Sequence, residues 1–235
     1  MARWDDYGLD ELLANYPKLQ LKEESREKLV VEGQFDLINA QMEGFDAITE
    51  SIHLRIEFPG GYSKEIPKVI DLDGKIPKNP DHHINVGKDD ASFCLGSGIK
   101  VLDDIAKDTS LCGFLENTVR NYLYRIFYKI KHGVVPGDEL PHYEEGLVQD
   151  YENIFGINGE ENISRLVKAL GYRKRVANKL KCPCGCTFRL GKCDFRLLLP
   201  EWRSKAPRSW YRNHWEEHFK PALKSKKKHA KTNLS

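Results

Sequence analysis

The chain has 235 residues, 40% of them hydrophobic, enough for one substantial core and one smaller module. No run approaches the roughly 18 apolar residues of a membrane span, and Met1-Ala2-Arg3-Trp4-Asp5-Asp6 has no apolar signal core, so the expectation is a cytoplasmic protein with no membrane partner. The net charge of +2 hides a split: residues 1–170 hold 19 Lys/Arg against 31 Asp/Glu, or −12, whereas residues 171–235 hold 18 against 4, or +14.

In chain order, Leu9 to Asn15 reads as a short amphipathic helix ended by Tyr16-Pro17. From Lys28 to Ala40 apolar and polar residues alternate, and Leu29, Val31, Phe35 and Leu37 mark one face of a half-buried strand. Ala47 to Phe58 offers a second strand with Ile52, Leu54, Ile56 and Phe58 on one face. The chain then turns through Gly60-Gly61-Tyr62, and Pro67 leads into a third apolar run, Val69 to Leu72. Ile99 to Ile105 suggests a short helical turn. Leu111 to Ile130 carries Leu115, Val119, Leu123, Ile126, Phe127 and Ile130 at helical spacing, which predicts a long crossover helix whose buried stripe backs the sheet. Gly133-Val134-Val135-Pro136-Gly137 is a breaker cluster. The helical stretches Tyr143 to Phe155 and Glu160 to Leu170 follow it and complete a first domain, residues 1–170. Residues 171–235 form a basic module with a solvated tail at Lys224-Ser225-Lys226-Lys227-Lys228-His229. The fold class expected is α+β.

Chemistry concentrates first in the stretch from His82 to Gly96. Cys94 follows the triplet His83-Ile84-Asn85 by a short loop, placing a thiol and an amide donor within reach of one carbonyl. A thiol can hold an acyl group as a thioester, and a carboxamide can stabilise the oxyanion formed when a second nucleophile attacks it. Alone, Cys94 would read as a packing residue, because cysteine is so often buried. The amide partner and the glycine between them argue for a nucleophile. Cys112, opening an apolar helix, reads as packing. Asp89, Asp90 and Asp103 are weaker candidates for taking a proton from an incoming amine, and His142 reads as a helix-start residue.

The other four cysteines, Cys182, Cys184, Cys186 and Cys193, fall within twelve residues, among prolines and glycines that can aim sulfurs at one centre. This is unlike a secreted disulfide framework and suits a structural Zn2+ site. A module this small needs the folding energy a metal supplies. Trp202, Trp210 and Trp215 stand among arginines. Base stacking is one reading of them, a mini-core around the module the favoured one. The charge asymmetry means that the basic part meets an acidic partner or docks on the chain's own acidic part.

The ordered set Phe58, Tyr62, Pro67, Val69, His83, Asn85, Cys94 and Leu95 resembles the ubiquitin-conjugating enzyme (UBC) family, in particular its prokaryotic branch, over roughly residues 10–130. Ile84 stands where that family usually has proline, Ser63 replaces the proline after the tyrosine, and no tryptophan closely follows Cys94. The resemblance implies a UBC-like fold: an N-terminal helix, an antiparallel meander, an active-site loop and a crossover helix. It implies that Cys94 takes a ubiquitin-like modifier from an activating enzyme as a thioester and passes it to the lysine of a protein substrate, with Asn85 at the oxyanion and His83, or His82 in a shifted register, ordering the loop. It also implies a place in bacterial antiphage defence. Cys182, Cys184, Gly185 and Cys193 resemble the SEC-C zinc motif, but Asp194 stands where that motif has its fourth Cys or His, so Cys186 is the first choice for fourth ligand and His214 or His218 the alternatives. Two rival expectations are a noncatalytic UBC-like adaptor and a zinc-dependent nucleic-acid binder working through the basic C-terminus.

Overall fold

Period-two alternation folds as an antiparallel sheet. The structure, a computed structural model, describes residues 3–86, 91–137 and 143–220. Strands β1 (Leu19–Glu24), β2 (Lys28–Ala40), β3 (Ile48–Pro59), β4 (Lys68–Asp71), β5 (Ile84–Val86) and β6 (Ala91–Phe93) lie side by side in the order β1-β2-β3-β4-β6-β5. Leu29, Val31, Phe35 and Leu37 are fully buried, and so are Leu54, Ile56 and Phe58, because residues two apart on an extended chain share a face. Each such side chain contributes about 1.5–3 kcal/mol relative to exposure. β2 and β3 pair from Lys28↔Pro59 to Ala40↔Ile48, with an irregularity between Leu37 and Ala40.

Four helices accompany the sheet: α1 (Leu9–Asn15), α2 (Gly98–Lys107), α3 (Leu111–Phe114) and α4 (Arg120–His132). The turn Leu115–Val119 between α3 and α4 is π-helical, so the long helix expected from Leu111 onward forms with one wide turn inside it. Leu115, Val119, Leu123, Ile126 and Phe127 are buried as their spacing predicts. Ile130 departs from the stripe at 44% exposure, and Tyr122, Tyr124 and Tyr128 are buried instead. α4 packs on β2 and β3. Gly133, at φ 77°, ends it in the left-handed conformation with its N–H on the Lys129 carbonyl, 2.8 Å away.

Tyr62 is a keystone of this core. Its hydroxyl donates to the Ser110 carbonyl at 3.1 Å, its own carbonyl accepts from the Tyr7 hydroxyl at 2.8 Å, and its ring meets Phe58 edge-on at 5.3 Å. Burial, with the Asp108 charge second, pushes its phenol well above the ordinary range. Pro67 and Val69 are buried as well.

The chain divides into two compact units, residues 1–139 and 140–235, whereas the sequence places a boundary at 170. The second contains α5 (Tyr143–Phe155), α6 (Glu160–Gly171), α7 (Lys174–Ala177), α8 (Leu199–Lys205) and α9 (Arg208–His214), then a π-helical turn at Trp215–Phe219. The physical reason is that the apolar stripe of α6, Ile163, Leu166, Val167 and Leu170, finds its partner on α9 and the turn after it. Trp215 Nε1 donates to Ser164 Oγ at 3.0 Å. Arg203 donates to the Ala169 and Tyr172 carbonyls at 2.8 and 3.0 Å, satisfying the C-terminus of α6. Among the described residues no helix is long and apolar enough to cross a membrane.

At Gly33, opposite Leu19 in β1, an added Cβ would lie 2.0 Å from the Lys18 carbonyl oxygen, on a backbone with φ 154°. Gly33→Ala is expected to destabilise the first unit by about 1–3 kcal/mol through this overpacking, read from the urea midpoint of its unfolding transition.

Candidate functional site

The hairpin β5–β6 sorts its residues by face. Ile84 and its partner Phe93 are buried, while Asn85, opposite Ser92, faces outward. Cys94 comes directly after β6 and is half-buried. Its N–H donates to the His83 carbonyl at 2.6 Å, adding one rung to the ladder and setting the backbone of His83 opposite the thiol residue. His83 itself has φ 52°, a left-handed conformation uncommon outside glycine. Asn85 Nδ2 donates to the Phe93 carbonyl at 3.3 Å and to Ser92 Oγ at 3.5 Å. The three residues expected at the site, His83, Asn85 and Cys94, therefore meet at one hairpin end. Both amide bonds are long, so the carboxamide is weakly held against the residue preceding the thiol.

Two residues that motif reading missed build this end. Tyr122 of α4 stacks under Phe93 at 4.5 Å between ring centroids, and its hydroxyl points at the His82 and His83 carbonyls, 3.0 and 3.1 Å away. Burial pushes the Tyr122 phenol far above its usual range, with the charges of Cys94 and Asp71 adding to the shift. It is thus a neutral donor at any physiological pH. Asp71 is 7% exposed, and its carboxylate accepts the N–H groups of Asp73, Gly74 and Ile76, each at 2.9 Å, which shapes the turn leading from β4 toward the hairpin. An aspartate so placed is a carboxylate N–H trap, with no signature beyond its position after a strand.

His82, the shifted-register alternative, has Nδ1 2.8 Å from Asn79 Oδ1 and accepts the role of a turn residue. Asp103 is ion-paired with Lys107 at 2.9 Å, within α2. Asp89, Asp90 and His142 lie outside the described residues. Cys112 is half-buried, accepts from Asn15 Nδ2 at 3.6 Å, and has its thiol pushed up by burial, all consistent with packing.

In the second unit, Lys181 and Arg189 form an isolated antiparallel bridge. The Cys182 N–H donates to the Phe188 carbonyl at 3.0 Å and the Leu190 N–H to the Leu180 carbonyl at 2.9 Å. This small ribbon folds the cysteines back on one another. The sulfurs of Cys182, Cys184, Cys186 and Cys193 all lie within 4.8 Å of one another, with Cys182 to Cys184 at 3.2 Å and Cys184 to Cys193 at 3.7 Å. Four sulfurs bound tetrahedrally at about 2.3 Å from a zinc-sized ion stand about 3.8 Å apart, so this set can close on a metal with small adjustments. A backbone N–H bond from Cys186 holds the Cys184 thiol low, while burial pushes Cys182 up, leaving one sulfur prepared to lose its proton.

The geometry also decides among the candidate fourth ligands. Cys186 belongs to the group, whereas Asp194 has a side chain 91% exposed and directed at Arg196. His214 is built into an aromatic core: its Nε2 is 2.5 Å from the Tyr151 hydroxyl and its ring stacks on Trp210 at 4.8 Å. Burial, with His218 second, holds it down to about 3, so it is neutral. Trp202, against Phe155 at 4.5 Å, and Trp215 belong to the same mini-core.

No family model matches this chain, and no curated protein or solved structure matches it.

Cys186→Ala is expected to lower metal affinity by 10-fold or more, and Asp194→Ala or His218→Ala to leave it unchanged. Competition against a chromophoric chelator in the purified protein measures both.

Proposed function

We propose that the first unit carries a ubiquitin-like modifier as a thioester on Cys94 and transfers it to an amine. The observation that supports this most is the meeting of a half-exposed thiol, a weakly held carboxamide and a loop locked by Tyr122 at one hairpin end. The Cys94 thiolate attacks the carbonyl carbon of the activating enzyme's thioester with the modifier, and that enzyme's thiolate leaves. A substrate lysine amine then attacks the new thioester. Asn85 Nδ2, released from the Phe93 carbonyl, donates to the oxyanion. Collapse expels the Cys94 thiolate, leaves an amide, and the nitrogen's proton passes to solvent or a nearby base. Swapping one long amide bond for a short one to an oxyanion costs about 1 kcal/mol or less before the gain, so the carboxamide can serve both states.

The UBC-like reading of the fold rests on the ordered motif and on a meander followed by a hairpin and a crossover helix. Zinc is the favoured occupant of the second unit's thiols, since soft thiolates in a closed four-sulfur set select it among common cellular divalent ions. There it would fasten the loops around residues 178–198 and take no part in transfer. A place in a bacterial antiphage conjugation system rests on the family resemblance.

A noncatalytic adaptor is favoured by one feature, the Asn85 amide already engaged on Phe93. The two readings part on trapping. With a competent activating enzyme and modifier, the conjugating reading expects an adduct on nonreducing gels that a reductant removes, lost in Cys94→Ala and made reductant-resistant in Cys94→Ser. Asn85→Ala should still form the adduct and discharge it to free amine on the order of 100-fold to 1000-fold more slowly. Failure of the wild-type chain to form any adduct would support the adaptor.

A further inference from the structure

Between Lys168 and Asp194 the chain has no acidic residue, yet it carries cations at 173, 174 and 175 and then Lys179, Lys181, Arg189 and Lys192. All seven are exposed, and among the described residues none pairs with a carboxylate. The last four flank or sit on the small ribbon made by residues 178–182 and 188–191, where Gly191 N–H bonds the Asn178 carbonyl at 3.1 Å and Lys181 lies directly across from Arg189. On that ribbon Phe188 is 61% exposed, a large aromatic side chain held in solvent by a backbone whose carbonyl is tied to Cys182.

The thiol centre accounts for part of this charge. Four thiolates around a divalent ion leave a net −2, so five of the seven cations are in excess of what it needs. Exposed cations are ordinary on a surface, but seven without a single interspersed acid form a field that favours a polyanion. The ring separates the polyanions from one another. An acidic peptide gains little from an exposed phenyl, whereas an unpaired base stacks on it while cations elsewhere on the ribbon hold its phosphates.

We propose that this ribbon of the second unit, with Phe188 exposed on it and Lys179, Lys181, Arg189 and Lys192 on or beside it, binds single-stranded nucleic acid through phosphate contacts and one stacked base. The three tryptophans are engaged in the mini-core, so the stacking falls to Phe188. This surface is independent of Cys94 and of the conjugation reading.

The test is fluorescence anisotropy of a 5′-labelled 20-nucleotide oligouridylate with the full-length, zinc-loaded protein across 50–300 mM salt. The expected result is binding whose log Kd rises with log salt at a slope of about 3, the value for four or five neutralised phosphates on a single strand. Phe188→Ala should weaken it about 10-fold without changing the slope. Phe188→Leu, which keeps an apolar side chain and the metal content, should do nearly the same. The double variant Lys181→Glu, Arg189→Glu should flatten the slope by about 1.4 or more. The proposal is overturned if the oligonucleotide does not bind at 50 mM salt, if both Phe188 variants bind as the parent does, or if the charge-reversed double variant binds unchanged, which would place binding on the basic tail. Equal competition by polyglutamate would equally overturn it, in favour of an acidic protein partner.

Discussion

One apolar face of the β1–β4 meander has to be covered, and the segment that covers it, α3 through α4, is also the one that carries Tyr122. The helix is amphipathic because its sequence places apolar residues at three- and four-residue spacing, and the sheet is amphipathic because its strands alternate. Docking the two stripes fixes the height and rotation of α4, and with them the position of a phenol that is stacked on Phe93 and aimed at the His82 and His83 carbonyls. The hairpin end with Cys94 is therefore held from below by the core. Among the described residues the β4–β6 ladder has one registered pair, Ile70↔Ser92, and the phenol adds a second hold on the hairpin from the helix side. The phenol adds a core-side bond to the His83 carbonyl, which the Cys94 N–H also reaches, in a stretch where His83 is left-handed.

The second unit solves the same problem with different means. Its helices α5, α6 and α9 close around Tyr151, Trp215, Phe219 and His214, an aromatic core that needs no metal. The stretch from 178 to 198 has little such core: Cys182 and Leu190 are buried, while Phe188, Leu197 and Leu198 stay in solvent. A few backbone bonds and four converging sulfurs are what give it a shape. A metal held by those sulfurs would substitute coordination for burial, with thiols at positions where a larger domain would use leucines.

Much of the first unit could be read directly because its elements are long and strictly periodic. α1 was bounded correctly by Tyr16-Pro17, and β2 and β3 by their alternation. β1 escaped notice because only Leu19 of its six residues is buried, as suits an edge strand, and so it shows no alternation. β5 and β6, three residues each, are too short for any period to register. The boundary at 139 was hidden because the partner of α6 lies about forty residues downstream on α9, and no local pattern announces a docking at that range. At the candidate site the residues with distinctive chemistry, Cys94, Asn85 and the four clustered thiols, were legible from type and spacing. Tyr122 and Asp71 were not. Their roles consist of hydrogen bonds to backbone groups, and a backbone group has no letter in a sequence. Spacing already favours Cys186 over His214, and packing adds the reason, since His214 is enclosed by Tyr151 and Trp210.

On the proposed reading the chain uses one functional group in two ways, and the neighbourhood decides which. A lone thiol cannot compete for zinc against a set of four, because each added thiolate multiplies the affinity of a site and Cys94 has no other cysteine beside it on the hairpin. The four clustered sulfurs in turn make poor carriers of an acyl group: a bound ion withdraws their electron density, and closing on it removes the open side an incoming carbonyl would need. Cys94 keeps that open side because it ends a strand, half-exposed, where the ladder stops and the chain turns toward α2 through Gly96 and the Ser97 cap. On the proposed reading, segregating the thiols lets a metal-holding module and a nucleophile coexist in one chain without either sequestering the other's chemistry. It also makes a sharp distinction observable: stripping a bound metal should loosen residues 178–198 while the Cys94 hairpin, held by backbone bonds, the Tyr122 hydroxyl and aromatic packing, keeps its geometry.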